Sequence, residues 1–178
     1  MNKKLTLHEL GIMHNCDKAT YHRYCDFYQK NLPKRTAKIR ILEIGLMHGA
    51  SARMWRDYFV NAEIVVIDID ISRCKPIEGV TIIQMDGTDV DQLKTLGNFD
   101  LIIDDASHMT KDQRDSFNHL YYNQLNKSGF YIMEDCHTSF MPNYVNTDVT
   151  TYEVMKWLEN SIEYNANDGQ SISFIIKK

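Results

Sequence analysis

Long apolar runs are missing from this sequence of 178 residues. No stretch approaches the roughly 20 apolar residues that a membrane-spanning helix needs. The start carries Lys3 and Lys4 but no apolar segment of the signal-peptide kind follows. No membrane segment and no secretory leader is therefore expected, and a cytoplasmic location is the expectation. Cysteine is sparse: Cys16, Cys25, Cys74 and Cys136 form no C-x-x-C pair and no regular framework. That pattern argues for free thiols in a reducing compartment and against zinc or disulfides. With 3 prolines and 8 glycines there is no Pro/Gly-rich linker, and no repeat or low-complexity tract is visible. Excess positive charge is also lacking. A net charge of -4 argues against a nucleic-acid backbone as the main partner. What remains is the balance of a globular domain, 43% hydrophobic and 25% charged, long enough for one sizeable core.

One boundary suggests itself, a polar break near residues 33–36. It divides an opening helical segment, 1–35, from a core, 36–178. In the opening segment Thr6 and Glu9 have capping-box spacing, and Tyr21, Tyr24 and Tyr28 recur at helical spacing beside Phe27. Beyond it, apolar runs alternate with helical stretches. The runs are 38–44 (KIRILEI), 63–68 (EIVVID), 80–85 (VTIIQM), 100–104 (DLIID) and 130–133 (FYIM). Runs apolar on both faces fit buried parallel strands. The stretches 50–59, 111–126 and 152–162 have helical periodicity, the last two opened by capping-box pairs Thr110/Gln113 and Thr150/Glu153. An Asn-Asp-Gly turn at 167–169 and a strand at 172–176 close an antiparallel hairpin with residues 162–164. The expected fold is α/β: a Rossmann-like, doubly wound, mainly parallel sheet with an antiparallel C-terminal hairpin and N-terminal helices.

In such sheets ligands bind beyond the carboxyl ends of the strands. The first strand ends in Glu43-Ile44-Gly45-Leu46-Met47-His48-Gly49. Its G-x-x-x-G spacing permits a tight turn and a close backbone approach, but it is not the G-x-G-x-x-G that wraps a pyrophosphate. With Glu43 in front, the loop suits a nucleoside without phosphate; a bare strand-to-helix turn is the plainer alternative. The second strand ends in Asp68, placed to accept ribose hydroxyls, with Asp70 following as a capping residue. The third ends in Asp86-Gly87, where an acid could reach an adenine amino group or simply close an Asx turn. The fourth ends in Asp104-Asp105-Ala106-Ser107-His108 and the fifth in Glu134-Asp135. Four carboxylates and an imidazole at neighbouring strand ends repel one another unless something positive sits among them. A hard divalent cation, Mg²⁺ first, is the expected answer. It would acidify a bound hydroxyl whose proton His108 is close enough to take. Helix caps and solvated acids are the structural alternative.

The strings LEIGLMHGASARMWRDYF (42–59), IDID (67–70), LIIDDASHMTKDQRDSF (101–117) and YIMEDCHTSF (131–140) resemble the class I methyltransferases that use S-adenosylmethionine. Within them they are most similar to the macrocin and mycinamicin group of sugar O-methyltransferases. The opening CDKATYHRY (16–24) resembles a segment found ahead of the core in related bacterial proteins. The resemblance implies Asp105, Glu134 and Asp135 as Mg²⁺ ligands and His108 as catalytic base, with Asp105 beside it in the catalytic pair. It implies Glu43, Gly45, Met47, Gly49 and Ser51 around the methionine part of the cofactor. Asp68 is implied at the ribose, Asp86 with Gly87 near adenine, and Asp104, Lys18 and Tyr21 along the cofactor or substrate. The acceptor implied is a small molecule, a sugar hydroxyl. Cys16 and Ala106 depart from the common pattern, Ala106 replacing a glycine and forbidding an easy positive φ. The chain is also shorter than the larger sugar enzymes. Its acceptor wall is expected from the opening helices, from 136–150 or from a partner subunit, with a homodimer as the simplest assembly.

Two other readings compete. Tyr152 and Lys156 form Y-x-x-x-K with Ser139 thirteen positions earlier, the spacing of an NAD(P)-dependent short-chain dehydrogenase. The first-strand loop lacks that family's third glycine. A non-catalytic relative that binds the cofactor or a glycan is the other.

Overall fold

The computed structural model describes residues 4–178. Residues 1–3 of the opening segment lie outside the described part. The opening segment forms three short helices, α1 (Leu7–Met13), α2 (Asp17–Thr20) and α3 (Tyr24–Asn31). The core then alternates β1 (Arg40–Ile44), α4 (Ala50–Tyr58), β2 (Glu63–Asp68), β3 (Val80–Gln84), α5 (Val90–Lys94), β4 (Phe99–Asp104), α6 (Thr110–His119) and β5 (Leu125–Met133). It closes with α7 (Thr151–Trp157), β6 (Ser161–Ala166) and β7 (Ser171–Lys177). The seven strands form one sheet in the order β3-β2-β1-β4-β5-β7-β6. The first five are parallel, and β7 runs antiparallel to both β5 and β6. This is the Rossmann-like, mainly parallel sheet expected, with its closing hairpin.

Successive strand residues face opposite sides. Ile41, Val66, Leu101, Ile103, Ile132 and Ile175 bury on one face, against Leu7, Leu10, Tyr24, Tyr28, Met54 and Trp55. Leu42, Val65, Ile67, Ile102, Tyr131 and Phe174 bury on the other, against Leu93, Phe117, Leu120 and Met155. Two covered faces explain why the runs read apolar throughout. The described part of the opening segment shares the first of these cores.

Local expectations fare unevenly. The Thr6/Glu9 and Thr150/Glu153 capping boxes form. The one at Thr110 does not: Met109 is the N-cap, and the Thr110 hydroxyl instead donates to Asn146 Oδ1 at 3.0 Å. The helix expected to run to 126 ends at His119 and widens into a π-helical turn over Leu120–Gln124. There the Gln124 amide donates to the carbonyls of Leu93 and Gly97, and β5 begins early at Leu125. The helix expected to reach 162 ends at Trp157, because Ser161 and Ile162 pair with Ile176 and Ile175. Tyr21 does not continue the Tyr24/Tyr28 face; it caps α2 and is exposed.

Candidate active site

A cleft of about 1010 Å³ lies across the carboxyl ends of the parallel strands. Its floor begins with the loop after β1. Gly45 has φ +102°, and a Cβ there would stand 2.1 Å from the Asp105 carbonyl oxygen. Only glycine lets the first and fourth strand ends pass this closely. Gly45, Met47 and Ser51 line the cleft, and Gly49 is the N-cap of α4 just outside it. Asp68 also lines it and accepts the backbone N–H of Leu46 at 2.6 Å, so the β2 acid holds the β1 loop in place. Asp86 and Gly87 line the same end. There Asp86 Oδ1 accepts from the Thr88 amide and hydroxyl, each at 2.8 Å, an Asx turn that leaves its other oxygen for a ligand. Glu43 is fully buried beneath the loop and outside the cleft, where it accepts from the Trp55 indole at 3.2 Å. Burial raises its pKa to about 7.

The other end of the cleft gathers the acids. Strands β4 and β5 are neighbours, so the ends carrying the four acids lie side by side; Asp105 and Asp135 meet with His108, while Asp104 turns to Ser116 and Tyr131 and Glu134 to Lys18. Asp104 lines the cleft but is anchored by the hydroxyls of Ser116 and, at 2.9 Å, Tyr131. Burial lifts its pKa to about 6 against those two donors. His108 Nε2 faces Asp135 Oδ2 at 3.6 Å and Asp105 Oδ1 at 3.8 Å. Both His108 (φ 59°) and Asp135 (φ 52°) adopt the left-handed backbone. Strain of this kind persists only where the surroundings enforce it, and it aims both side chains at one point. Asp105, His108 and Asp135 each place a ligand atom within 4.8 Å of the others. Glu134 Oε1 is buried without a hydrogen-bond partner. Hard oxygen donors with one imidazole and an unsatisfied carboxylate oxygen fit a divalent cation.

The positive charge nearest these acids comes from Lys18, which the resemblance places along the cofactor or substrate and not among the acids. Lys18 is 1% exposed, and its ammonium bonds Asp105 Oδ2 and, at 2.8 Å, Glu134 Oε2. Burial opposes its charge, but Asp105, Glu134 and Glu43 outweigh burial and hold its pKa well above the usual lysine range. Burial pushes Glu134 well above the carboxylate range despite Lys18, since Asp105 and Asp135 add to the shift. Asp135 goes the other way: burial is overcome by His108, His22 and the Tyr24 hydroxyl, which donates to it at 2.8 Å. His22 and His137 lie 3.6 and 3.9 Å from Asp135 Oδ1. Lys18, Tyr21, Glu43, Gly49 and Glu134 do not line the cleft, whereas His14, Asn15, Asp17 and Thr20 of the opening segment do. His14 and Asn15 carried no sequence signal, and Asp17 and Thr20 were marked only as part of the segment 16–24, because the position of the opening helices over the cleft is set by long-range packing.

The dehydrogenase arrangement does not form. Tyr152 and Lys156 both engage Glu163, at 3.3 and 2.9 Å, and Ser139 accepts the Tyr152 backbone N–H. None of the three lines the cleft.

No protein-family model matches the chain. Among curated proteins it is 31% identical to L-olivosyl-oleandolide 3-O-methyltransferase of Streptomyces antibioticus, over 92% of this chain and 47% of that protein. It is 29% identical to demethylmacrocin O-methyltransferase of Streptomyces fradiae, over 82% of this chain and 41% of that one. The chain thus spans about half the length of the curated relatives it matches. Among solved structures, the mycinamycin-pathway methyltransferase MycE, in complex with Mg, SAH and mycinamycin VI, superposes with a TM-score of 0.83 at 26% identity. The match covers 98% of this chain and 55% of MycE. The chain is a homologue of the macrocin- and mycinamicin-type sugar O-methyltransferases, built on the Rossmann-like fold of the class I methyltransferases.

Proposed function

We propose that this protein is an S-adenosylmethionine-dependent O-methyltransferase that methylates a hydroxyl of a sugar or glycosylated small molecule with the help of a divalent cation, Mg²⁺. The observation that carries the reading is the cleft itself. A glycine loop with Asp68 and Asp86 stands at one end, and Asp105, His108 and Asp135 converge at the other. The homology to sugar O-methyltransferases supports it.

When bound, the sulfonium supplies the methyl group and the cation lowers the pKa of the acceptor hydroxyl. The chain's own residues do the rest. Gly45, Met47, Gly49 and Ser51 shape the seat of the methionine part, with Glu43 buffering the loop from below. Asp68 takes the ribose hydroxyls, its carboxylate having lone pairs beyond those used on the loop amides. Asp86 and Gly87 stand at adenine. Asp105, Glu134 and Asp135 would hold the cation. His108 Nε2 accepts the acceptor's proton, and Asp105 and Asp135 stabilise the imidazolium that results. Asp104, pinned by Ser116 and Tyr131, steadies the strand end beside them. Alignment of acceptor and methyl group is the main contribution to rate.

The opening segment, 1–35, serves as cover, since His14, Asn15, Asp17 and Thr20 line the cleft. Lys18 acts from behind that wall, and Tyr21, exposed at the end of α2, is assigned with it to the cofactor or substrate. The remaining acceptor wall falls to 136–150 and to a partner subunit, with a homodimer as the simplest form. No helix among the described residues is long and apolar enough to cross a membrane. The four thiols are unpaired in the structure, and they fit the reducing cytoplasm we assign. We assign small molecules, not nucleic acid or membrane, as partners.

The test is a thermal-shift comparison of S-adenosylhomocysteine with NADP, followed by methyl transfer from labelled S-adenosylmethionine to glycosylated acceptors with and without Mg²⁺. Stabilisation by the first ligand alone is expected, because a ligand that binds only the folded state raises the melting temperature by mass action. Stabilisation by NADP and not by S-adenosylhomocysteine would overturn the proposal.

A further inference from the structure

We infer that Lys18 is a positioning residue of the acidic centre: its ammonium takes one oxygen each of Asp105 and Glu134, leaves Asp105 Oδ1 to the group with His108 and Asp135 where the divalent cation would sit, and by its charge keeps that cation weakly held. The inference rests on the cation reading proposed above and goes beyond it.

The ammonium bonds Asp105 Oδ2 and Glu134 Oε2. The second oxygens are the ones left over. Asp105 Oδ1 belongs to the group with His108 and Asp135, whereas Glu134 Oε1 lies buried outside that group and off the cleft. Lys18 therefore divides the acids into an inner pair already neutralised and an outer set that is not. It cannot turn away cheaply, because it is 1% exposed and its helix, α2, packs against α1 and α3. Unpaired buried carboxylates are strongly destabilising. With Lys18 in place the chain folds before any metal arrives, and the opening segment is tied to β4 and β5 by an ion pair. The same charge repels a divalent ion. By Coulomb's law with an effective dielectric of about 20, a unit charge one side chain away shifts the ion's affinity by well over tenfold.

The experiment uses the full chain and Mn²⁺ alone as the probe, with no cofactor or acceptor. Affinity is read by titration calorimetry and by the paramagnetic signal of free Mn²⁺, alongside melting temperature with and without the metal. Lys18→Met and Lys18→Gln are both expected to bind Mn²⁺ about tenfold tighter or more, and to melt lower without it. Their melting temperatures should rise further on Mn²⁺ addition than that of the wild type. Damage to a merely structural lysine would weaken binding, so tightening is the diagnostic direction. Equal or weaker binding by both variants overturns the role of Lys18. If a variant fails to fold alone, refolding from denaturant with Mn²⁺ decides: recovery supports the inference and failure overturns it. Absence of Mn²⁺ binding by the wild type is a separate outcome, which removes the cation reading itself.

Discussion

Replacing Gly45 with alanine tests the close approach on which the cleft depends. The added Cβ would lie 2.1 Å from the Asp105 carbonyl oxygen and 2.8 Å from its carbonyl carbon. Both are backbone atoms, so no side chain can swing away. Both strand ends are also tied to the sheet: Gly45 N–H donates to Ile67 O and Asp105 N–H to Ile44 O, each at 2.9 Å. An alanine at φ +102° adds conformational strain of about 1–3 kcal/mol. Forcing the backbones apart adds a similar amount, about 1–3 kcal/mol. The sum, roughly 2–6 kcal/mol, is a large part of a typical domain's stability of about 5–15 kcal/mol. At roughly 2–4 °C per kcal/mol for a domain of this size, melting should fall by about 5 °C or more. Gly169→Ala is the control, since Gly169 also has positive φ (84°) but nothing within 4 Å of its Cβ position. It should show the φ penalty alone. Urea unfolding followed by circular dichroism measures both, and S-adenosylhomocysteine binding by the Gly45→Ala variant should fall as the loop and Asp105 move apart. A Gly45→Ala protein no less stable than the Gly169→Ala control, and binding S-adenosylhomocysteine normally, would refute the reasoning.

His108→Gln should lower turnover by about 10²–10⁴-fold with little change in fold or cofactor binding, because Nδ1 makes no hydrogen bond and Nε2 faces only the two acids. Single-turnover methyl transfer with parallel calorimetry checks it, and wild-type rates would remove His108 from the chemistry. Glu43→Gln should change the pH dependence of stability. Burial raises the folded pKa from 4.5 to about 7, so the folded chain binds this proton more tightly than the unfolded one. The stability so gained is fully present below pH 4.5 and is lost as pH rises through about 7. The variant should therefore gain on wild type across that window, by on the order of 3 kcal/mol at most. Urea melts at a series of pH values read it, and a pH-independent difference between the two proteins would contradict it.

Much of the fold was legible because burial on both faces leaves a direct imprint. The five parallel strands and the closing hairpin fall where apolar runs and the Asn-Asp-Gly turn placed them, to within a few residues except at the start of β5. Helix ends were less legible. Residues 120–126 and 158–162 have helical periodicity, yet Gln124 finds buried carbonyl partners and Ile162 finds a strand partner in β7. Such partners lie far away in the chain, and local propensity does not register them.

The site divides the same way. That Asp104, Asp105, His108, Glu134 and Asp135 lie at neighbouring strand ends follows from the chain alone, since a strand's last residues stand at the crevice of a parallel sheet; which of them meet does not. Nor does the presence of a cation among the acids. Lys18 is 87 residues from Asp105 and 116 from Glu134, and their meeting requires the opening helices to dock on the sheet. Likewise His22, Tyr24 and His137 reach Asp135 only through packing. The sequence by itself determined which groups sit at the strand ends, because periodicity and turn chemistry act over a few residues. Only the tertiary structure decided which charges neutralise which, because electrostatic pairing depends on distance in space and on burial, and neither is written in neighbouring residues.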